Sequence, residues 1–316
     1  MLLIKQLRLL HIHPLFWVMM GTAVMTGYFY DLMLLFTIIL LHELGHAAAA
    51  LHYEWKIRKI SLLPFGGMME TDEYGTRPLR EEAVVAASGP LVHLPLAALS
   101  YFLQGAAFWG SADHALFMHY NISLFCFNLL PIHPLDGGRL LFCLYARHIP
   151  FYLAQKKTLL TSGAVLGVCI ILAAVYIPLH MQAWLIASFF IMVHIKEWKQ
   201  LTYRFYRFLI KKTGEPLSAY PREYRHISWQ RRPVDAAKLI RRHGVSFFYI
   251  VENGQTLSES FILETITKKR KGMETLKHIV SSNGKDEKRH SRYDRYSFKY
   301  IDNGTKSSTS GKWQGH

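Results

Sequence analysis

LMLLFTIILLHELGHAAAA, residues 32–50, is an apolar stretch broken only by two histidines and one carboxylate. On a helix, positions four apart share a face, so His42 and His46 can direct imidazole nitrogens at one point, with Glu43 following the first of them. This His-Glu-x-x-His spacing lets a helix hold a zinc ion while the glutamate takes a proton from bound water, the chemistry of zinc-assisted peptide hydrolysis. A soluble zinc protease carries the motif on a water-facing helix, whereas here its flanks are those of a membrane span. Ionisable groups at that depth cost about 2.5–3.5 kcal/mol each on insertion scales, so they mark functional sites. The bland alternative is a packed histidine pair with a hydrogen-bonded carboxylate, and the cost of an idle intramembrane glutamate weighs against it. The residues therefore point to proteolysis inside a membrane. A catalytic zinc takes three protein ligands plus water, so a third ligand must come from elsewhere.

The composition agrees with a membrane setting. The chain is 51% hydrophobic with a mean hydropathy of +0.10, too apolar for an average soluble domain. Apolar windows predict six spans, at about 14–30, 32–53, 83–103, 115–130, 158–176 and 181–195. Lys5 and Arg8 anchor the first of these, and the opening ten residues do not read as a cleavable signal. With a cytoplasmic N-terminus, the inner segments carry Lys5, Arg8, Lys56, Arg58, Lys59, Arg77, Arg80, Arg139, Arg147, Lys156 and Lys157. The outer segments, at Asp31 and about 104–114 and 177–180, carry no Lys or Arg. This split predicts cytoplasmic N- and C-termini and places His42–His46 in the inner half of its span. Cys126, Cys143 and Cys169 fall in or near apolar helices without paired spacing and read as small buried hydrophobes in a reducing setting.

The fourth predicted span closes with NLLPIHPLDGG, residues 128–138. Pro131 and Pro134 break the helix, and Gly137 and Gly138 permit backbone that side-chained residues resist. Broken helix at membrane depth is tolerated where it is buried in protein or lines a polar cavity. Asp136 at that break, just before a new helix over 139–147, is either the third metal ligand or an ordinary helix N-cap. The company of an intramembrane HELGH favours the ligand.

HELGH in one span and NLLPIHPLDGG in a later one resemble the site-2 protease family of intramembrane metalloproteases. That resemblance implies a core of three helices holding one Zn2+ through His42, His46 and Asp136, with Glu43 as the base. It also implies a substrate-binding role for Asn128, whose plain alternative is a helix–helix hydrogen bond. Leu63-Pro64-Phe65-Gly66-Gly67 is similar to the family's membrane-associated β segment, whose edge pairs with an extended substrate; Phe65, Gly66 and Gly67 are the candidates, and a simple Gly-Gly turn is the alternative. Ser88-Gly89-Pro90 matches a Gly-Pro kink and reads as packing. More narrowly, His11-Ile-His13-Pro14, the LLPFGG and the NLLPxxPLDGG resemble a sporulation branch with six spans and a cytoplasmic CBS domain. In that branch the substrate is the membrane-associated precursor of the sporulation sigma factor sigma-K, and inhibitory membrane proteins act as partners. His11 and His13 lie at the start of a span and read as interfacial. Other branches cut substrates such as anti-sigma factors. A zinc-transporting membrane protein is the rival from a different class, but it needs neither a glutamate after the first histidine nor a substrate strand.

Residues 196–316 hold 26 Lys and Arg against 12 Asp and Glu, so nearly all the basicity lies in this tail. KEWKQLTYRFYRFLIKK, 196–212, within a basic linker to residue 215, reads as a juxtamembrane helix against anionic lipid. No nucleic-acid motif accompanies the charge. Residues 216–280 read as a small α/β unit: a helix over 233–242, a strand over 246–251, a turn at Glu252-Asn253-Gly254 and a helix over 257–269. This resembles one CBS motif, which implies that ATP binding would need a second copy and hence a homo-oligomer. Residues 281–316 lack periodicity and read as a disordered tail. The fold class expected is thus a polytopic α-helical membrane protein of about six transmembrane helices with a small cytoplasmic CBS-like domain.

Overall fold

The computed structural model describes residues 10–280 apart from 13, 64–65, 72, 74, 76, 214–221, 243 and 269–271. Its elements run β1 (Leu10–Ile12), α1 (Pro14–Thr26), α2 (Phe29–His52), β2 (Ile57–Leu63), β3 (Gly66–Thr71), α3 (Leu79–Leu103), α4 (Ser111–Asn128), α5 (Asp136–His148), α6 (Phe151–Tyr176) and α7 (Met181–Thr213). A second, smaller unit follows: β4 (Arg222–Ile227), α8 (Pro233–Ala237), β5 (Val245–Ile250), β6 (Thr256–Ser258) and α9 (Glu259–Thr267). Phe65 and His13 lie outside the described residues, as does the 281–316 segment.

Among the described residues, α2, α3 and α6 are long and apolar enough to cross a membrane. The span expected at 14–30 stops earlier. Helix α1 ends at Thr26, Gly27 turns the chain at φ +81°, and α2 begins at Phe29. The 13 residues of α1 make a helix of about 20 Å, short of a hydrocarbon core of about 30 Å. The outward faces of the long helices are apolar; on α6, Leu160, Val168, Ile171, Leu172 and Val175 are exposed. Such a continuous apolar surface suits lipid rather than water.

Two expected segments merge into one. The span at 181–195 and the basic helix at 196–212 form a single helix, α7, of 33 residues and roughly 50 Å. Its second half buries Phe205, Phe208 and Leu209 in a core shared with the smaller unit. Phe151, at the start of α6, stacks on Phe208 with centroids 4.1 Å apart, and its N–H donates to Ile240 O at 3.2 Å. Membrane helices and tail unit thus share one apolar core.

The smaller unit is a three-stranded sheet in the order β4-β5-β6, parallel then antiparallel, backed by α8 and α9. Strand β4 was not anticipated from the sequence, and the helix expected over 233–242 is confined to Pro233–Ala237. The strand, the Gly254 turn (φ +71°) and the last helix lie within two residues of their expected positions. The N-terminal sheet has the order β1-β2-β3, with β1 parallel and β3 antiparallel to β2. Gly66 and Gly67 open β3 opposite Leu63 and Leu62, and β3 is an edge strand among the described residues.

Candidate metal centre

Helix α2 is buried along one stripe that includes Phe36, Ile39, His42, Glu43, His46 and Ala50, the spacing of a single helix face. The broken segment 129–135 then brings α5 against that face. Ser162 of α6 supports the break, accepting from His133 N at 2.8 Å and donating to Pro131 O at 3.1 Å. Gly137 lies so close to the Leu129 and Leu130 carbonyls that a Cβ would collide with them, which accounts for glycine after the aspartate.

Asp136 is the first residue of α5 and performs no N-cap bond; its carboxylate turns to the α2 histidines. His42 Nε2 lies 3.0 Å from Asp136 Oδ2, His46 Nε2 lies 3.1 Å from it, and the two Nε2 atoms are 3.1 Å apart. This near-equilateral triangle of buried donor atoms approximates one face of a tetrahedron with metal–ligand bonds of about 2 Å. The protons on the far side fit the same arrangement. His46 Nδ1 faces the carbonyl of Val85 at 2.6 Å, an acceptor, so it carries the hydrogen and leaves the Nε2 lone pair aimed into the triangle. Two imidazole lone pairs and a carboxylate converging on one point, all three side chains buried, form a donor set suited to a divalent cation of the zinc class.

Two glycines show how tightly the centre is enclosed. At Gly89, α3 lies against the imidazoles so closely that a Cβ would strike both His46 and His42. At Gly67, β3 lies against the Glu43 carboxylate, and a Cβ there would strike it. Strand β3 therefore meets the candidate base directly through Gly67; Gly66 pairs with Leu63 one position earlier. Glu43 itself is 5% exposed. Asn128 is the last residue of α4, half-buried, at the entry to the broken segment that ends in Asp136.

The model of Peptidase family M50 matches residues 30–112 and 106–172. Stage IV sporulation protein FB of Bacillus subtilis (strain 168) is 39% identical over 206 residues, covering 64% of this chain and 70% of that protein. The chain belongs to peptidase family M50, the site-2 proteases. A zinc metalloprotease of Methanocaldococcus jannaschii is 33% identical over 144 residues, 44% of this chain and 41% of that relative. The solved structure of a site-2 protease from the same organism aligns with a TM-score of 0.46 at 26% identity, over 60% of this chain and 89% of that one. As a member of the site-2 protease family, this is a membrane metalloprotease.

Some of the centre escaped the sequence reading. His93 and Asn121, each 2% exposed, stand behind His42: His42 Nδ1 is 3.0 Å from His93 Nε2, and His93 Nδ1 is 2.7 Å from Asn121 Oδ1. The available signal was another ionisable side chain in an apolar window, the same signal that exposed His42 and His46. The backbone carbonyl of Val85 left no trace in the sequence at all.

Proposed function

We propose that the chain is an intramembrane zinc endopeptidase that cleaves a membrane-associated protein close to the cytoplasmic face. The observation that carries this reading is the triangle of His42 Nε2, His46 Nε2 and Asp136 Oδ2 beside the buried Glu43 carboxylate. A zinc ion held by His42, His46 and Asp136 would polarise the scissile carbonyl and acidify a water molecule. Glu43 takes the proton of the attacking water at its carboxylate and returns it to the leaving amine. The edge of β3, opening at Gly66 and Gly67, supplies main-chain partners to an unwound substrate strand, which peptide hydrolysis requires, and Phe65 is proposed to share that role. Asn128 holds the substrate at the mouth of the broken segment.

The reading extends to topology and substrate. Six spans with cytoplasmic termini fit the charge split, with α4, the first half of α7 and the short α1, which would cross by local thinning of the bilayer, as the spans beyond α2, α3 and α6. The likeness to the Bacillus subtilis sporulation protein supports a role in sporulation, with the precursor of sigma-K as substrate, inhibitory membrane proteins as partners and the forespore-engulfing membrane as location. The 222–280 unit serves as a CBS-like module, whose pairing between two copies would create the ATP site.

Co-expression with the sigma-K precursor tests the reading. Wild type is expected to shorten the precursor, Glu43→Gln to retain zinc without cleavage, and His42→Ala or Asp136→Asn to lose both. Cleavage by Glu43→Gln would remove Glu43 from the role of base. An uncut precursor beside a cut anti-sigma factor would reassign the substrate.

A further inference from the structure

We propose that His93 and Asn121 form a positioning relay that fixes the tautomer of His42, so that its Nε2 lone pair always faces the metal site. The inference rests on the metal-centre reading above and concerns how that centre is held ready. His42 Nδ1 and His93 Nε2 face each other at 3.0 Å, and only one of the two can carry the hydrogen between them. The choice is made at the far end of the relay. Asn121 Nδ2 lies 2.9 Å from the backbone carbonyl oxygen of His93, which can only accept, so the amide nitrogen must be the atom placed there. Asn121 Oδ1 is then the atom 2.7 Å from His93 Nδ1, and an amide oxygen can only accept. The hydrogen of His93 therefore sits on Nδ1, His93 Nε2 is the acceptor, and His42 Nδ1 is the donor. The lone pair of neutral His42 is left on Nε2, directed at His46 Nε2 and Asp136 Oδ2.

The opposite polarity would place a hydrogen on His42 Nε2, pointing into the site. It would also require the Asn121 amide to turn over and set its oxygen against the His93 carbonyl oxygen. Both relay residues are almost wholly buried, so no water softens that clash. A carbonyl on α3 thus specifies, through α4 and back through α3, which nitrogen of an α2 histidine binds metal. His46 obtains the same service in one step from Val85 O. Partners of this kind orient metal-binding histidines and change metal affinity about 10–100-fold when removed.

The test measures zinc affinity of the full-length protein in detergent by competition with a chromogenic chelator, beside kcat and KM on a cleavable substrate. His93→Leu is expected to weaken zinc binding about 10–100-fold. His93→Gln, whose amide oxygen can replace the lost acceptor, is expected to recover most of that loss, whereas Asn121→Leu, which leaves His93 Nδ1 without its acceptor, is expected to weaken zinc binding as His93→Leu does. KM should stay near wild type across the series while kcat at limiting zinc follows occupancy. Wild-type zinc affinity in His93→Leu, or a Gln variant as weak as Leu, overturns the relay. If His93→Leu fails to accumulate, Asn121→Leu decides alone: a zinc affinity equal to wild type there overturns the relay. His42→Ala is the control that separates the two ideas, because zinc retained there removes the metal-centre reading itself.

Discussion

Arg242 of the tail unit and Glu82 in the first turn of α3 form a buried two-point ion pair, Nη1 to Oε2 at 3.0 Å and Nη2 to Oε1 at 2.5 Å. Their side chains are 5% and 4% exposed. Glu82 Oε1 also accepts the Gly75 N–H at 2.6 Å, and Arg242 also reaches the Arg77 carbonyl. The pair therefore fastens the tail to the loop before α3, one turn from the Val85 carbonyl that serves His46.

Removing one partner should be costly and removing both should not. Arg242→Leu is expected to lose about 3–5 kcal/mol by stranding Glu82 without its cation, whereas the Arg242→Leu, Glu82→Leu double variant should recover much of it. Thermal unfolding in detergent, read at the tryptophans, checks the ordering. A double variant less stable than Arg242→Leu alone would mean that the pair acts as more than a satisfied charge.

Gly67 and Gly89 should fail differently although the added methyl is the same. Gly89→Ala displaces the His42 and His46 imidazoles and, on the proposed reading, should weaken zinc binding by about tenfold or more. Gly67→Ala displaces Glu43 and should leave zinc bound while kcat falls on the order of a hundredfold, the scale of a 1 Å misplacement. Zinc content by atomic absorption beside turnover distinguishes the two.

Ser162, fully buried, holds the break that delivers Asp136. Ser162→Ala leaves His133 N and Pro131 O without that hydroxyl and should cost about 1–3 kcal/mol. Differential scanning of the zinc-loaded protein measures it; an unchanged transition would show that the prolines hold the segment unaided.

In the tail, the Lys238 ammonium, aided by Arg232, holds the Asp235 carboxyl below the usual carboxylate range. A lowered carboxylate pKa stabilises the fold above the unfolded value of about 3.9, and the benefit fades as pH falls through the folded value. Asp235→Asn should therefore cost up to about 1 kcal/mol at pH 7, with the gap to wild type closing below about pH 4. Paired unfolding curves at the two pH values check the sign.

The donor residues were legible in the sequence because each is chemically expensive where it stands. Histidines, a glutamate and an aspartate in apolar windows need a reason to be there, and helical periodicity alone puts His42 and His46 on one face. The apolar windows likewise located α2, α3 and α6, since lipid demands an unbroken run. Local pattern was weaker at ends and joins. It divided α7 at Lys196, where charge begins, although the helix runs on because its apolar stripe at Phe205, Phe208 and Leu209 finds a partner in the tail.

What the sequence by itself determined is the inventory: two imidazoles, two carboxylates, a broken segment and a glycine pair, each marked by the cost of placing it in apolar surroundings. What only the tertiary structure decided is who stands behind them. The Val85 carbonyl belongs to every residue type, Gly67 and Gly89 matter for what lies across from them, and the Asn121–His93 relay joins residues from different helices. Hydrogen-bond direction depends on partners in space, and distance along the chain does not encode it.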